Sequence, residues 1–464
     1  MLLDIDKKPS GCLAAIDDGG GRLTYGDIAT LKKAIAQALP ERELVFCLCE
    51  NRVGALAGFL SLYDNRDVCL LLSATIDKGL LDDLCQTYRP SYFWMPEEKA
   101  KETSYEIVFS YQGFVLCSTG NPAPAMHPDL SMLMTTSGTT GSPKLVRHKY
   151  GNIEANACNV AQVFGWKEGD RGIIDLPMQY TMGLNVILSH LYAGAAVLLV
   201  AANLMSPLFW KFIKEERGTD FTGVPFSYQI LQRLRFMRMD LPHLTTLAEG
   251  GGKLPDDLFE TFSQYAKEHG KRFFATFGTT ETSARLAYLP PEDAVTHVGS
   301  IGRAIPGGCL TLVDEEGREI KDADVEGELR YEGPNVTMGY GTSIEDLRKG
   351  DEFLGVYMTG DIARRDKDGY FYIVGRKKRF LKLFGLRVSL DQSERIISEH
   401  FGIECACTGD DQKMRIYITR PDLCDQVLDL IAEKTGLKAS SFEVHAIASL
   451  PRFESGKVNY RELN

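Results

Sequence analysis

The stretch Leu133-Met134-Thr135-Thr136-Ser137-Gly138-Thr139-Thr140-Gly141-Ser142-Pro143-Lys144 joins an apolar segment to a loop of glycines and hydroxyl residues that ends in one lysine. The apolar segment predicts a buried strand. Glycine lets the backbone turn sharply and approach a ligand without a Cβ clash. Successive N–H groups and hydroxyls can then surround an anion, and the lysine adds a positive charge. The stretch therefore predicts a loop that binds the phosphates of a nucleotide. The residues predicted to surround the phosphates are Thr135, Thr136, Ser137, Gly138, Thr139, Thr140, Gly141 and Lys144.

A flexible linker between domains is the alternative, because linkers are also rich in glycine, serine and threonine. However, a linker would not follow a buried strand directly, and it has no need for Pro143-Lys144 at its end. The spacing from Gly138 to Lys144 also differs from that of the P-loop ATPases. The phosphate loop is the favoured interpretation.

The totals indicate a globular protein with more than one domain. A chain of 464 residues exceeds what a single core usually holds. The hydrophobic fraction of 44% and the charged fraction of 25% are typical of folded proteins. The net charge of −11 argues against general binding to nucleic acid or to an anionic membrane.

The eleven cysteines and eight histidines are scattered, with no spacing typical of a zinc site or a disulfide framework. We therefore expect reduced, mostly buried thiols in a cytoplasmic protein, with a catalytic cysteine as the minor alternative. The segment from Leu176 to Trp210 contains no charged residue and resembles a membrane span, but prolines and glycines interrupt it. A buried helix over Leu184–Tyr192 and an interior strand over Ala195–Val200 are favoured, so no stable membrane insertion is expected.

The chain changes character near residue 299. Before it, helical patterns alternate with short aliphatic runs, which favours an α/β domain with largely parallel sheets. The predicted strands include Leu44–Cys49, Val68–Leu72, Thr219–Val224 and Arg272–Phe277, and the predicted helices include Ile28–Leu39, Ala55–Leu62 and one with its apolar face at residues 258–266.

After residue 299, antiparallel pairs are expected. The first pair is Cys309–Val313 with Gly327–Tyr331 around the turn 314–317, and the second is Tyr370–Val374 with Phe380–Phe384. The tail is predicted as strand, helix, strand over Arg415–Thr419, Asp425–Thr435 and Glu443–Ile447. The polar cluster at residues 376–379 suggests a boundary between domains 1–375 and 376–464.

Phe277-Gly278-Thr279-Thr280-Glu281 follows a predicted strand. Loops at the carboxyl ends of parallel strands are where α/β sheets bind ligands. An aromatic ring can flank a purine, a threonine can bind a phosphate, and a glutamate can hold Mg²⁺ through oxygen. A solvated turn is the alternative.

Further segments suit the same chemistry, although each is also compatible with a surface turn. In Tyr357-Met358-Thr359-Gly360-Asp361, a carboxylate after a glycine turn could accept both hydroxyls of a ribose. Gly250-Gly251-Gly252-Lys253-Leu254 precedes a helix. Gly375-Arg376-Lys377-Lys378-Arg379 is followed by Lys382-Leu383-Phe384-Gly385, and Leu450–Val458 contains Lys457.

Together and in this order, these motifs resemble the acyl-adenylate-forming (AMP-binding) superfamily of acyl-CoA synthetases, peptide-synthetase adenylation domains and firefly luciferase-like proteins. The resemblance covers essentially the whole chain, including Leu23-Thr24-Tyr25. It implies an α/β fold with a large N-terminal domain of mixed and parallel sheets, a small β-barrel-like subdomain and a small mobile α+β C-terminal domain. Phe277 replaces the usual tyrosine, and Lys378 stands at a hinge position where aspartate is more common.

The resemblance implies a role for each site residue. Catalytic roles fall to Lys144, Thr280, Glu281 and Lys457, with Glu281 also the Mg²⁺ ligand. Nucleotide contacts beyond the phosphate loop fall to Gly251, Gly252, Phe277, Gly278, Thr279, Asp361 and Arg376. The acyl and acceptor pocket would include Tyr180, Gly183 and Gly385, and the hinge would be Lys378.

The implied reaction uses ATP and Mg²⁺. A substrate carboxylate attacks the α-phosphate, which yields an acyl-adenylate and pyrophosphate, and a thiol then displaces AMP. In the family the small domain rotates between the steps, which would withdraw Lys457 and bring the Lys382–Gly385 loop to the site.

The substrate is less defined. Tyr180 stands where many acyl- and aryl-CoA synthetases have histidine, and no aspartate follows between Leu176 and Tyr192, which disfavours an α-amino acid. The uncharged wall suggests an apolar or neutral polar acyl group. CoA is the expected acceptor of a stand-alone enzyme, and a separate carrier protein is the alternative. A catalytically silent nucleotide-binding protein is a third possibility. Such a protein would be expected to have lost at least one charged site residue, but all five are present: Lys144, Glu281, Asp361, Arg376 and Lys457.

Overall fold

The computed structural model describes residues 2–135, 144–377, 379–383, 386–410, 412–453 and 457–463. Within these residues the α-helices are α1 Tyr25–Ala38, α2 Val53–Asp64, α3 Lys78–Tyr88, α4 Glu97–Ala100, α5 Asn152–Phe164, α6 Thr181–Ala193, α7 Pro207–Glu215, α8 Pro225–Arg233, α9 Asp256–Glu268, α10 Leu390–Phe401 and α11 Cys424–Thr435.

The strands of the first half are β1 Leu13–Asp17, β2 Arg22–Thr24, β3 Leu44–Cys49, β4 Val68–Ser73, β5 Tyr92–Pro96, β6 Glu106–Tyr111, β7 Phe114–Ser118, β8 Leu130–Thr135, β9 Leu145–Lys149, β10 Arg171–Ile174, β11 Ala196–Leu199, β12 Asp220–Gly223, β13 Thr246–Glu249 and β14 Arg272–Phe277. The remaining strands are β15 Ala287–Leu289, β16 Arg303–Ala304, β17 Cys309–Val313, β18 Glu319–Ile320, β19 Glu326–Glu332, β20 Tyr340–Gly341, β21 Val356–Arg365, β22 Phe371–Arg376, β23 Phe380–Leu383, β24 Leu386–Ser389, β25 Cys405–Asp410, β26 Lys413–Ile418 and β27 Phe442–Ala446.

The chain forms two compact units. The first contains Met1–Cys309 and Glu332–Tyr357, and the second contains Leu310–Tyr331 and Met358–Asn464. The five-stranded sheet β18-β17-β19-β21-β22 thus groups largely with the C-terminal residues. The hinge near residues 376–379 and the division into 1–375 and 376–464 stay predictions.

The first unit contains two large sheets, which confirms the predicted α/β class. In the order β16-β15-β14-β13-β12-β10-β11-β1-β2, the strands from β14 to β1 are parallel and antiparallel strands close both edges. The second order is β20-β9-β8-β4-β3-β5-β7-β6, with a parallel centre from β8 to β5. Central parallel strands are buried on both faces, which explains the continuous apolar run of β3.

Close packing of α2 against the second sheet depends on two small residues. A Cβ built on Gly58 would lie 2.1 Å from the Trp94 ring, so only glycine leaves room for the indole. The Trp94 Nε1 group donates to the Gly54 carbonyl oxygen at 3.1 Å. This fixes α2 over β5 and satisfies a buried donor.

Helix α1 begins earlier than the predicted Ile28. Thr24 Oγ1 accepts a hydrogen bond from the Asp27 backbone N–H at 3.1 Å, and Asp27 Oδ2 accepts from the Thr24 N–H at 2.8 Å. This capping box starts the helix at Tyr25.

The second unit contains the five-stranded sheet, the pair β23-β24 and the sheet β25-β26-β27 with α10 and α11. The tail agrees with the predicted strand, helix and strand. Of the two strand pairs predicted before it, the first is confirmed, because β17 neighbours β19, and the second was wrong. The turn 314–317 leads first to the two-residue strand β18, which pairs with the other edge of β17. In place of the second predicted pair, β22 pairs with β21 and β23 pairs with β24. Strand partners depend on long-range packing, which a local pattern does not contain.

The uncharged segment from Leu176 forms α6 and β11. Every residue of α6 from Thr181 to Leu191 is buried. Across the described ranges, no helix combines the length and the apolar character needed to cross a membrane.

Candidate functional site

The loop after β14 is held in one conformation by close backbone packing. A Cβ on Gly278 would lie 1.4 Å from the Ala284 carbonyl oxygen, so this position requires glycine. Ser283 and Ala284 adopt φ values of 54° and 109°, in the left-handed region that favours glycine. Such strain is retained where surrounding contacts fix the chain, and it often marks functional loops. The loop presents Thr280 and Glu281 at the carboxyl end of a parallel strand.

Lys144, Tyr340 and Glu281 form one cluster. The Lys144 Nζ lies 3.2 Å from the centroid of the Tyr340 ring, and the Tyr340 hydroxyl donates to Glu281 Oε1 at 2.8 Å. Burial raises the pKa of Tyr340 well above its usual value, and the charge of Glu281 adds to this, so the phenol keeps its proton. The cluster places a cation, a hydrogen-bond donor and a carboxylate together.

Strand pairing brings this cluster together. In the second sheet, Thr135 of β8 pairs with Leu145 of β9, and Leu145 pairs with Gly341 of β20. Lys144 directly precedes β9, so it lies beside the end of β8 and beside Tyr340. Thr135 and Lys144 are thus adjacent across the hairpin, and their role in binding phosphate stays a prediction.

Arg147 anchors the segment that carries Tyr340. Its side chain is fully buried and donates hydrogen bonds to the carbonyl oxygens of Tyr340, Met338 and Lys349. It also forms an ion pair with Glu352. Because one guanidinium satisfies several carbonyls, the short strand β20 is fixed without a regular neighbour on its outer side.

A second group of residues borders the same loop from α6. The Thr181 hydroxyl donates to Thr280 Oγ1 at 3.0 Å. A Cβ on Gly183 would lie 2.4 Å from the Pro177 carbonyl oxygen, so Gly183 is required by packing at the helix start. The geometry places Gly183 beside the predicted pocket and gives it a structural reason for being glycine.

Tyr180 and the glycine turn lie next to each other. A Cβ on Gly251, which has a φ of 79°, would lie 2.6 Å from the Tyr180 hydroxyl oxygen. A Cβ on Gly250 would meet Thr276 Oγ1 at 2.6 Å, and Gly252 adjoins Pro225. Burial raises the pKa of Tyr180 to about 12. The turn therefore allows the backbone to pass close to an aromatic wall, as expected for a pocket that holds a flat or apolar group.

Two buried carboxyls lie at the carboxyl ends of two parallel strands of the first sheet that are separated by β12. Burial raises the pKa of Asp175, just after β10, to about 7, and that of Glu249, at the end of β13, to about 8. Both carboxyls also raise the pKa of the buried Tyr228 phenol, after the larger effect of its own burial. Sequence analysis did not single out either carboxyl, since each follows an ordinary aliphatic strand.

Asp361 and Arg376 form an ion pair in the second unit. They are paired residues of β21 and β22, and Arg376 Nε lies 3.0 Å from Asp361 Oδ1. The Asp361 side chain is 2% exposed, while that of Arg376 is 59% exposed. Burial raises the pKa of Asp361, and the Arg376 charge opposes the shift. Among the described residues, Asp361 Oδ2 accepts no hydrogen bond. This carboxylate therefore keeps an acceptor available beside a cation.

Lys457 lies within the last motif of the chain, Leu450–Val458. Its carbonyl oxygen accepts from the Phe453 N–H at 2.9 Å, and Arg452 bridges to Val458. Arg452 is itself tied to Glu404 at 2.7 Å. These contacts fix the backbone on both sides of Lys457 within the second unit.

Several predicted residues lie outside the described part of the chain. They are Thr136, Ser137, Gly138, Thr139, Thr140, Gly141, Lys378 and Gly385. Their predicted roles stay predictions.

Tyr340, Arg147 and Thr181 contribute to the site but were missed by sequence analysis. Tyr340 lies in a Gly-Tyr-Gly segment that carries no distinctive spacing. Its position depends on the pairing of β20 with β9, which no local pattern predicts.

Comparison with known proteins identifies the family of this chain. The sequence pattern of the family described as AMP-binding enzyme matches residues 5–341. The chain is 32% identical over 280 residues to an oxalate–CoA ligase of Arabidopsis thaliana, an alignment that covers 59% of this chain and 53% of that protein. It is 27% identical to a 3-hydroxybenzoate–CoA ligase of Aromatoleum sp. strain CIB, in an alignment that covers 96% of this chain and 91% of that protein. The chain thus spans about half the length of the first of these relatives.

The fold also matches a solved structure. O-succinylbenzoate coenzyme A synthetase from Bacillus subtilis, solved with AMP, superimposes with a TM-score of 0.77 at 21% identity, covering 96% of this chain and 94% of that one. The same synthetase has been solved with ATP and a magnesium ion. With the family pattern covering more than half of its length, this chain belongs to the AMP-binding enzyme family.

Proposed function

We propose that this protein uses ATP to convert a carboxylic acid into an acyl-adenylate, releasing pyrophosphate, and then transfers the acyl group to the thiol of CoA. The observation that carries the proposal is the cluster of Lys144, Tyr340 and Glu281, with Thr280 on the same loop, in a chain of the AMP-binding family. The relatives described above are named as CoA ligases, which supports CoA as the acceptor.

The first step joins two anions. A carboxylate oxygen of the acid attacks the α-phosphorus, and the bond to the bridging oxygen breaks as pyrophosphate leaves. Positioning and charge neutralisation are what such a step requires from the protein. Lys144 supplies a positive charge, and Thr280 supplies a hydroxyl that Thr181 orients.

The Glu281 carboxylate suits a divalent cation. One of its oxygens, Oε1, accepts a hydrogen bond from the Tyr340 hydroxyl at 2.8 Å. Mg²⁺ prefers such hard oxygen ligands, and when bound it would offset the negative charge of the phosphates. The hydrogen bond from Tyr340 orients this carboxylate.

Asp361 suits the ribose. A buried carboxylate with one available oxygen can accept a hydrogen bond from a sugar hydroxyl, and the charge of Arg376 favours the ionised form of that carboxylate. Arg376 is mostly exposed, so its remaining donors are accessible to a nucleotide.

In the second step, a thiolate attacks the acyl carbon and AMP leaves. We include in the proposal that Lys457 serves the first step, that the chain rotates at a hinge near Lys378, and that the Lys382–Gly385 loop serves the second step. The anchored turn around Lys457 is compatible with a lysine that moves with its unit.

The test is pyrophosphate release from Mg-ATP across a panel of carboxylic acids and amino acids, each with and without CoA. Acid-dependent release that CoA accelerates, with formation of the thioester, is the expected result. Acid-dependent release that ignores CoA would point to a carrier protein as the acceptor. Nucleotide binding with no release for any acid would contradict the proposal and indicate a catalytically silent protein.

A further inference from the structure

Arg285 is a buried cation with an unused donor. Arg285 is 2% exposed, and it directly follows the strained loop that ends at Ala284. Its Nη1 donates to Asn185 Oδ1 at 2.7 Å, and its Nε lies 3.5 Å from Thr276 Oγ1. Among the described residues, Nη2 has no hydrogen-bond partner. A buried guanidinium that leaves one nitrogen unpaired is costly unless something else completes it.

No carboxylate of the described residues forms an ion pair with Arg285. Asp220 acts on it through space without forming an ion pair with it, and Asp220 Oδ2 accepts from His190 Nε2 and from the Thr219 hydroxyl, each at 3.0 Å. Burial lowers the pKa of Arg285 to about 10, so the group keeps its charge at neutral pH. The protein therefore holds a charged fork in its interior without a direct counter-ion.

The position of Arg285 connects it to the pocket. Its partner Thr276 lies beside the position of Gly250, where a Cβ would come within 2.6 Å of Thr276 Oγ1 and 3.0 Å of Met182 Sδ. Its other partner, Asn185, lies on α6 four residues after Thr181, which contacts Thr280. Four residues of helix correspond to a rise of roughly 6 Å. Thr280 and the Arg285 guanidinium thus contact the same face of α6, about one helical turn apart.

Neighbouring amides orient the guanidinium. Asn185 Nδ2 donates to Asn156 Oδ1 at 2.6 Å, so Asn185 must turn its Oδ1 toward Arg285. Asn156 Nδ2 donates to the Arg285 carbonyl oxygen at 2.6 Å, and the guanidinium carbon lies 4.9 Å from the centroid of the Phe164 ring. A donor held in this way is pre-organised for a ligand.

We propose that Arg285 is a specificity residue that receives an anionic oxygen at the far end of the acyl substrate, so that the preferred substrate is a compact dicarboxylic acid. This inference rests on the proposed function and departs from the neutral acyl group expected from the uncharged wall of residues 176–210. A second carboxylate would accept from Nη2 and supply the missing counter-ion. An acid without that group would leave the guanidinium buried and unpaired, and would be disfavoured.

The first test uses the unmodified protein and matched acids. Pyrophosphate release is measured with succinate against butyrate and with glutarate against valerate, which are similar in length and differ in the second carboxylate. A charge-assisted hydrogen bond in a buried site is expected to favour the diacid at least about 10-fold in kcat/KM. Equal efficiency, or a preference for the monoacids, would overturn the inference while leaving the proposed function intact.

The second test replaces the guanidinium. R285M is expected to lose the preference for diacids, through a higher KM for the diacid and an unchanged or lower KM for the monoacid. R285K keeps the charge without the planar fork and should retain part of the preference. R171M is the matched control, because Arg171 begins β10 at the opposite end of the same sheet and pairs with Glu216; its selectivity should equal that of the unmodified protein.

The outcomes separate the two proposals. If R285M folds with an unchanged melting temperature and loses activity equally on diacids and monoacids, Arg285 does not determine specificity. If R285M does not fold, the inference is decided by whether the unmodified protein prefers diacids to the matched monoacids. If no acid in either series or in the wider panel supports pyrophosphate release, the proposed function fails, and this inference fails with it.

Discussion

The Lys144 ammonium lies 3.2 Å from the centroid of the Tyr340 ring. The two residues are almost 200 positions apart in sequence, yet β9 and β20 place them side by side at the edge of one sheet. The same ring carries the hydroxyl that donates to Glu281. One tyrosine therefore positions both the cation of the phosphate loop and the carboxylate of the strand-end loop.

Tyr340 offers two substitutions that separate these contacts. Y340F keeps the ring under Lys144 and loses the hydrogen bond to Glu281, whereas Y340L loses both. Loss of a hydrogen bond to a charged group should lower kcat/KM for Mg-ATP roughly 10-fold in Y340F. Loss of the cation–π contact should lower it further in Y340L, by about another 3-fold. Pyrophosphate release at varied Mg-ATP provides the measurement.

Tyr150 provides the matched control for these variants. Its hydroxyl donates to the Arg66 carbonyl oxygen at 2.9 Å, and the Arg66 guanidinium lies 4.2 Å from the centroid of its ring. Y150F therefore removes a similar contact elsewhere in the same unit and should leave catalysis unchanged. Equal activity of Y340F and the unmodified protein would show that the Glu281 contact has no part in the reaction.

Gly278 should tolerate no side chain. A methyl group at this position would overlap the Ala284 carbonyl oxygen, and neither the strained loop nor β14 can move without disturbing Thr280 and Glu281. We expect G278A to lower the stability of the first unit by about 1–3 kcal/mol. Turnover should fall by more than about 10-fold, because small displacements of reacting groups are expensive in catalysis.

Gly169 is the control for Gly278. A Cβ there would meet nothing within 4 Å. Melting temperature and pyrophosphate release of G169A should match those of the unmodified protein. If G278A also matched the unmodified protein in both measurements, the close packing of the loop would contribute neither to stability nor to catalysis.

Asp361 should discriminate between ATP and its deoxy forms. If its carboxylate binds the ribose, 2′-deoxy-ATP or 3′-deoxy-ATP should have a KM about 10-fold or more above that of ATP, the usual cost of a lost charge-assisted hydrogen bond. D361A should raise the KM for ATP and abolish this discrimination, as a double-mutant cycle requires for a direct contact.

The control for Asp361 is D324A. This variant breaks the exposed ion pair with Arg364 in the same unit, which should not affect nucleotide binding. Discrimination that persists in D361A would exclude Asp361 from the ribose site, even if overall affinity had fallen.

Glu249 should make stability depend on pH. Its pKa of about 8 in the folded protein exceeds the value of about 4.3 for an exposed glutamate, so the folded state holds a proton that the unfolded state releases. Stability conferred by this carboxyl therefore falls as the pH rises between these two values. E249Q cannot ionise, so its stability relative to the unmodified protein should increase by about 2 kcal/mol from pH 6 to pH 8.

Melting temperatures of both proteins at pH 6 and pH 8, without ligands, test this expectation. Glu260 is exposed on α9, and E260Q should show no such pH-dependent difference. A constant difference between E249Q and the unmodified protein at both pH values would mean that Glu249 titrates normally.

Much of the first unit could be predicted from sequence, because its buried parallel strands are continuous apolar runs. β3 and β14 have the predicted bounds, Leu44–Cys49 and Arg272–Phe277. The predicted pairing of β22 with β23 was wrong because neighbouring strands in the chain need not be neighbours in a sheet.

The site was predictable where a residue lies within a motif and not where packing creates it. Lys144, Thr280 and Glu281 belong to motifs, and the structure brings them together with Tyr340, which belongs to none. Arg285 is similar to Tyr340 in this respect, since its importance comes from burial and from an unpaired nitrogen. Neither property is visible in the sequence around it.

Lys457 allows the two chemical steps to be tested separately. If it neutralises charge only during adenylation, K457A should slow pyrophosphate release roughly 10²–10³-fold, a loss typical of removing one group that stabilises the transition state. The same variant should convert a synthetic acyl-adenylate and CoA to the thioester at nearly the normal rate. The fold should persist, because the substitution removes neither the backbone hydrogen bond of Phe453 nor the Arg452–Glu404 ion pair, which hold the turn. K438A changes an exposed lysine of the same unit and should affect neither step. Equal losses in both steps would indicate a general role in structure or binding, and normal pyrophosphate release would remove Lys457 from catalysis.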